Sequence, residues 1–596
     1  MIFVMALHES AMPLFFKHRN MKRTFITILS ILFASAMFAQ EIPQELRGKY
    51  HALRWEELSA KGKTRDLIVT DPPENPRSIA EFEPNQGVIV AAPQSYWGNN
   101  VSFGVPYSLI AELSQEDTVY LICASSSQSS VRTTLQNNGV NMNHLKFVNH
   151  SIDSYWCRDY SPWFIEYGNK QIGMIDYVYN RPRPNDDEIT NYFGTYFNKP
   201  VFGMDVVHTG GNYMTDGLGV AASCRASLDV ENTEDGYNYT QAQLDTIFKN
   251  YLGITNYMHL DDPLNDYIAH IDCWGKFIDV DKVVITKVPT SNSQYAAYEA
   301  MADYWANQTS SYGNKYKVFR TYSPNSQPYS NSLILNRKVY LAFPNNEATN
   351  NANAKAVYEE AMPGYEVIGF NPISSAPWEG TDALHCRTHE VPRFDMLRIA
   401  HYPILDTVEY AETYTITANI YTLGNGGSIT SAKVFFKIND GEYISETMTN
   451  VSDDEYSFTF DGLQRGQKVS YYIKAETEYG QVQTHPYIGE PDPHVFIVKT
   501  DDNPTSAESF AIDNGYIKCF PNPATNVLYF VSNNVDEGFY GVEIINQQGS
   551  VVKSLVTEAS SKWEGACIDI SDMANGLYFV RMYNNSKSYT CKFMKQ

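Results

Sequence analysis

Lys282-Val-Val-Ile-Thr286 is a short apolar run, and the stretch behind it from Ser293 to Gln308 is a helix candidate. Strand-like runs then return at Ser332-Leu-Ile-Leu335 and Lys338-Val-Tyr-Leu-Ala-Phe343, followed by a second helix candidate from Asn353 to Ala361. Upstream, Gly87-Val-Ile-Val-Ala-Ala-Pro93 and the helix candidate Gln241 to Tyr251 carry the same alternation. Residues from about Glu41 to Leu397 therefore predict an α/β domain. No fixed repeat period can be established in this stretch.

Around Ala400 the helical pattern stops. Tyr414 to Tyr421, Ala432 to Lys437, Tyr456 to Phe460 and Val469 to Lys474 alternate apolar and polar faces between Gly, Asn and Asp turns. Such short strands over residues 399–498 read as an immunoglobulin-like β-sandwich. The polar segment beginning Lys499-Thr-Asp-Asp-Asn-Pro-Thr-Ser506 predicts a linker over 499–514. Residues 515–596 return to strands, at Val527 to Val531, Tyr540 to Ile545 and Gly576 to Arg581.

At the other end, Met21-Lys-Arg23 precedes an apolar run from Phe25 to Phe38 with small residues before Gln40. That reads as a signal peptide over residues 1–39, with Met21 as an alternative start, and the run is shorter than a spanning helix needs. Composition fits an exported, folded chain. Of 596 residues, 43% are hydrophobic and 14% aromatic, too many for a disordered protein and too long a chain for one core. A formal net charge of −23 argues against nucleic acid or an anionic membrane as partner. The eight cysteines are scattered and form no CxxC pair, so neither a disulfide framework nor a structural zinc is predicted. Cys123, in Val119-Tyr-Leu-Ile-Cys-Ala124, reads as a buried strand residue that behaves like a small hydrophobe.

Three segments carry chemistry: Gly380-Thr-Asp-Ala-Leu-His-Cys386-Arg-Thr-His-Glu390, His270-Ile-Asp272 and Trp156-Cys-Arg-Asp159. A thiol, an imidazole and two carboxylates are what cleaving a guanidinium C–N bond requires. Cys386 stands in a polar, turn-like context beside His385 and Arg387, and nearby positive charge, from Arg387 or a bound guanidinium, would lower its pKa. If 270–272 is extended, His270 and Asp272 face one side, although a structural pair or two metal ligands would fit the same residues. Asp159 is a second candidate guanidinium clamp, with Trp156 offering a π-face, or else half of a structural ion pair. Arg181 and Arg183, each followed by proline, are biased to extended geometry on one side, as a carboxylate site would need, or they pair at the surface with Asp186 and Asp187.

Taken in order, Trp156 to Asp159, Thr209-Gly-Gly-Asn-Tyr-Met-Thr-Asp-Gly217, His270 to Asp272 and Leu384-His-Cys-Arg-Thr388 resemble the guanidine-modifying superfamily. The resemblance is to its agmatine deiminase branch and, more closely, to the Porphyromonas-type bacterial peptidylarginine deiminases, over about Ser78 to Arg393. It implies a five-bladed ββαβ propeller over residues 40–398, ahead of the immunoglobulin-like domain. It implies Cys386 as nucleophile, His270 as general acid/base, Asp159 and Asp272 as guanidinium ligands, and Asn331 as a further active-site residue. Tyr267 and Trp156 would line the pocket, and Arg181 and Arg183 would bind the α-carboxylate of a C-terminal arginine. Cofactor and metal are expected to be none. Thr209 and Thr381-Asp382 depart from the agmatine deiminase pattern, which has an acidic residue and a glycine-rich turn there; this weakens the agmatine reading and leaves the peptidyl one intact.

The tail, with Cys519-Phe-Pro-Asn-Pro-Ala-Thr-Asn-Val527 and Ile568-Asp-Ile-Ser-Asp-Met-Ala-Asn-Gly-Leu577, resembles the C-terminal sorting domain of type IX secretion. That implies the secretion machinery as a partner and a secreted or outer-membrane-surface location. Beside a deiminase of peptides and proteins with C-terminal arginine stand an agmatine or free-arginine deiminase and a non-catalytic surface adhesin.

Overall fold

The computed structural model describes residues 67–93, 103–229, 238–265, 268–374, 376–378, 380–500, 516–533, 538–559, 566–583 and 588–596. The expected signal peptide, linker residues 501–514 and Tyr267 lie outside them. The chain divides into two compact units, Met1–Lys499 and Thr500–Gln596.

The N-terminal part of the first unit holds five small sheets, each made the same way. Two strands form an antiparallel pair, a helix crosses over, and a further strand joins parallel to the second. Trp163–Tyr167 and Gln171–Tyr179 pair antiparallel, helix Ile189–Phe197 follows, and Val201–His208 adds in parallel. The same scheme joins Met214–Thr215, Val220–Cys224 and Asn256–Leu260 around helix Gln241–Leu252. It recurs with Gly275–Asp279, Lys282–Lys287 and Lys317–Tyr322 around helix Tyr295–Asn307. Leu333–Leu335, Lys338–Ala342 and Glu366–Phe370 repeat it around helix Ala348–Ala361. In the fifth sheet the first strand comes from the far end of the region. Thr388–Pro392 pairs with Asn85–Ala91, which takes Thr118–Ile122 in parallel after helix Tyr107–Glu116.

Local chemistry explains the helix ends. Thr240 and Gln243 form a reciprocal capping box at the start of Gln241–Leu252, and Gly253 ends that helix at φ +72°. A side chain at Gly253 would also meet the Pro76 carbonyl oxygen. The crossover helices bury one stripe each; in Tyr295–Asn307 it is Tyr298, Met301, Ala302 and Trp305.

From Leu397 onward the first unit is all strand. One sheet orders Leu397–His401, Thr413–Thr422, Glu455–Asp461 and Thr449–Ser452, and a second is built on Ile429–Ile438, Lys468–Thr477 and His494–Val498. In Thr413–Thr422 every second residue from Tyr414 to Ile420 is buried, as a sheet with one wet face requires. Ile416, Ile420, Val434, Ile473 and Phe496 form the shared core. The second unit has two sheets, with Leu528, Val542, Ile544, Val580 and Phe593 inside. A disulfide joins Cys519 to Cys591, a pairing the cysteine spacing did not suggest. Cys123 is buried, as expected, but lies one position past the end of its strand.

Candidate active site

Each of the five sheets is entered through a short turn immediately before its antiparallel pair, and these turns bring the candidate residues together. Asp159 lies on the turn Cys157–Tyr160, Gly211 on Gly210–Asn212, Asp272 on Ile271–Cys273 and Cys386 on His385–Arg387. Asn331 closes the turn before Leu333, its N–H donating to the Pro328 carbonyl at 3.1 Å. The turns bearing Asp159 and Cys386 pack on one another, and so do those bearing Gly211 and Asp272.

Asn331 holds the attacking group. Its side-chain oxygen accepts from the Ala383 and Cys386 N–H groups at 3.1 and 3.2 Å. Its Nδ2 donates to the Asp272 carbonyl at 3.3 Å and lies 3.1 Å from Cys386 Sγ. The thiol lies 3.4 Å from Asp272 Oδ2. Burial pushes the Cys386 thiol well above its ordinary pKa, with Cys273 and Asp272 pushing the same way. Arg387 does not relieve this. Its guanidinium pairs with Asp382 at 3.2 and 2.8 Å and donates to the Gly104 and Pro377 carbonyls, so it locks the turn instead of activating the sulfur. Asp382 also accepts from Trp156 Nε1 at 3.0 Å, which gives this departure from the glycine-rich pattern a structural role.

His270 and Asp272 do not follow from strand alternation. His270 precedes a 3-10 turn, and the two side chains reach different partners. His270 Nδ1 lies 3.7 Å from Asp159 Oδ1, both residues being 1% exposed. Asp272 turns to Cys386 and to His385, whose Nδ1 is 2.7 Å from Asp272 Oδ2. Asp272 Oδ1 is buried without a hydrogen-bond partner. The glycine pair that the motif contained without an assigned role has one here. A Cβ on Gly211 would stand 2.6 Å from His270 Nδ1 and 2.8 Å from Asp159 Oδ1, and one on Gly210 would stand 2.0 Å from the Arg158 carbonyl.

Trp156 is fully buried beside Cys386 and Tyr155, and the Arg183 guanidinium lies 5.0 Å from its ring centre. The expected extended geometry of the arginine pair is not observed. The Arg183 N–H donates to the Arg181 carbonyl at 2.8 Å, so the chain turns tightly at Pro182. Arg183 Nη1 also donates to Tyr179 at 3.2 Å. Asp186 accepts from the Asp153 and Ser154 N–H groups and from the Ser154 hydroxyl, Asp187 accepts from the Tyr179 N–H, and both carboxylates are buried and not at the surface.

Two further groups had no readable sequence signal. Glu81, in an unremarkable loop, receives His385 Nε2 at 2.9 Å and Lys276 Nζ at 2.5 Å. Cys273 joins Asp272 and Cys386, one carboxylate oxygen and two sulfurs lying within 4.8 Å of one another.

The family model of Porphyromonas-type peptidyl-arginine deiminases matches residues 77–392, more than half of the chain. A secretion system C-terminal sorting domain matches residues 518–596, which makes the type IX secretion machinery a partner and marks the protein for export to the cell surface or beyond. A candidate agmatine deiminase of Yersinia pseudotuberculosis is 21% identical over 356 residues, covering 52% of this chain and 94% of that protein. Among solved structures, the agmatine deiminase of Enterococcus faecalis aligns at 18% identity and TM-score 0.47, over 55% of this chain and all of that one (100%). A candidate arginine deiminase from Porphyromonas gingivalis aligns at 17% identity and TM-score 0.46, over 53% and 98%. Among the described residues no helix is long and apolar enough to cross a membrane.

Proposed function

The chain belongs to the Porphyromonas-type peptidyl-arginine deiminase family and is a hydrolase of guanidino C–N bonds, and from that premise we propose that it converts C-terminal peptidylarginine to peptidylcitrulline and ammonia. The observation that carries this reading is Asp272. One carboxylate oxygen touches the Cys386 sulfur, and the other is buried and unpartnered beside it, a position suited to a guanidinium N–H.

In this reading Asp159 and Asp272 hold the cation over Cys386. Burial leaves the resting sulfur protonated, so the arriving guanidinium supplies the positive charge that Arg387 does not. As the cation binds, the Cys386 thiol passes its proton to His270, the thiolate forms a bond to the guanidinium carbon, and ammonia departs with that proton, leaving an S-alkylthiouronium. Water then adds at the same carbon, giving one proton to His270; as the C–S bond breaks, the hydroxyl proton leaves to the departing ammonia, citrulline is released and His270 returns its proton to the sulfur. Asn331 Nδ2 donates to the sulfur when it is anionic. Arg183, one indole away from Cys386, and Arg181 receive the substrate carboxylate. No metal or cofactor enters the scheme. The five sheets are read as propeller blades around this centre, residues 40–398 as the catalytic domain and residues 399–498 as an immunoglobulin-like domain. Residues 1–39 are read as a signal peptide and 515–596 as the domain that delivers the protein to the outer surface.

Ammonia release from a peptide ending in arginine, a peptide with internal arginine, benzoyl-arginine, free arginine and agmatine tests the assignment. The C-terminal arginine peptide should have the highest kcat/KM, and Arg183→Ala should lower that value most. Agmatine is the competing substrate, favoured by the names of the relatives; it has no carboxylate, and a preference for it that survives Arg183→Ala would replace this proposal.

A further inference from the structure

We propose that His385 is a positioning residue for deimination, held as an imidazolium between two buried carboxylates so that Asp272 stays anionic and aimed at the substrate; the proposal rests on the deiminase reading above. His385 Nδ1 lies 2.7 Å from Asp272 Oδ2, and Nε2 lies 2.9 Å from Glu81 Oε2. A neutral imidazole has one N–H, and an ionised carboxylate only accepts. A neutral ring here would set a nitrogen lone pair against an oxygen lone pair at hydrogen-bonding distance. A proton on each nitrogen satisfies both contacts.

The surrounding charges give an independent reason. Packed around His385 are Cys386 on its own turn, Asp272 on a neighbouring turn, Glu81 on its loop, Lys276 on strand Gly275–Asp279, Arg158 on the Asp159 turn, and His389 and Glu390 on strand Thr388–Pro392. Lys276 Nζ pairs with Glu81 at 2.5 Å, and Arg158 Nη2 pairs with Glu390 at 2.7 Å. Arg158 Nε also donates to the Thr388 carbonyl at 3.0 Å. Two fixed cations thus face the three carboxylates of Glu81, Asp272 and Glu390. An imidazolium at 385 is the third cation, and without it a net charge would be buried unpaired, which is costly. His389 cannot fill that role, since burial pushes it down to about 4 and its Nδ1 donates to the Glu390 carbonyl at 2.8 Å.

The consequence is directional. With Oδ2 committed to a cationic partner, Asp272 presents Oδ1 to the pocket. Glu81 serves this from behind. It also accepts the Ile334 N–H at 2.7 Å, so the bridge is anchored to strand Leu333–Leu335.

The test uses the full chain. In His385→Gln the KM for benzoyl-arginine should rise about tenfold or more, and the acid limb of kcat/KM should move up by about one pH unit or more. Glu81→Gln should give a smaller shift of the same sign. A merely structural role would lower Tm and leave the acid limb unmoved, and that result in both variants would overturn the proposal. A neutron structure of the wild type decides the protonation directly, with or without measurable turnover. Deuterium on both ring nitrogens of His385 is expected, and a single deuteron overturns the proposal. Wild-type protein that releases no ammonia from any arginyl substrate would sink the deiminase reading, while the neutron map would still decide the bridge.

Discussion

Two parts of the first unit bury polar groups in opposite ways. Between the five turns the chain buries ions: Arg158, Asp159, Lys276, Asp272 and Arg387 are all below one-tenth exposed. In the strands after Leu397 the interior is Ile, Val and Phe, and its histidines, His401, His485 and His494, are neutral. Burial lowers His401 to about 4 and takes His485 and His494 well below their ordinary value. Their ring nitrogens are satisfied by neutral partners, with His485 Nδ1 2.9 Å from His494 Nε2 and His401 Nε2 3.0 Å from the Tyr471 hydroxyl. A scaffold avoids buried charge because desolvation costs several kcal/mol per ion. A site that must grip a cation accepts that cost. Where a fold concentrates paired, buried ions is therefore where its chemistry is sought.

This contrast predicts that substitutions in the first region cost activity and those in the second cost stability. The largest effect is expected for Cys386→Ala, which should lower kcat by about 10⁴-fold or more while leaving the melting temperature nearly unchanged; residual turnover near wild type would dissolve the distinction. Next, Ile473→Ala, at a fully buried core position, should cost about 2–5 kcal/mol in denaturant unfolding and leave kcat/KM at 25 °C intact. A matching loss of activity would show that the β-strand region shapes the site. Gly211→Ala should lower kcat/KM by about 10- to 100-fold, because the added methyl must displace His270 or Asp159. Steady-state kinetics with unchanged circular dichroism would place that loss in the site.

The smallest effect concerns pH. A histidine held neutral in the fold with a lowered pKa takes up its proton only on unfolding, so the unfolded state binds more protons below about 6.5. Stability should then fall as pH drops from about 6.5 toward 4, by up to about 1.4 kcal/mol per pH unit for each such histidine. His494→Gln should flatten this slope in urea titrations, and an unchanged slope would assign the acid sensitivity to other groups.

Much of this was legible in local sequence. Most strand runs fell within about two residues of the observed bounds, as Lys282–Lys287 and Leu333–Leu335 show, while Ile429–Ile438 and Lys468–Thr477 each extend three residues beyond the expected run at one end. The candidate residues Asp159, His270, Asp272, Asn331 and Cys386 all reach the turns described. Three things were hidden. Helix Gln128–Asn137 buries only Val131 and Leu135, too little apolar periodicity to read. Helix Ala348–Ala361 starts ahead of the expected Asn353 because its first turns are polar. The repeat escaped detection because the five sheets share a hydrogen-bonding scheme and not a residue spacing.

By itself the sequence determined which side chains are available and which segments alternate, because periodicity and turn chemistry are local properties of the chain. It also determined the family and the sorting domain, through motifs whose order along the chain is the signal. Only the tertiary structure decided who faces whom. It turned Arg387 away from the sulfur and onto Asp382, put His385 between Asp272 and Glu81, and gave Gly211 its close approach to His270. Those outcomes depend on turns from five separate sheets converging on one point, and a carboxylate's partner there is set by distances across space that no neighbouring residue in the chain records.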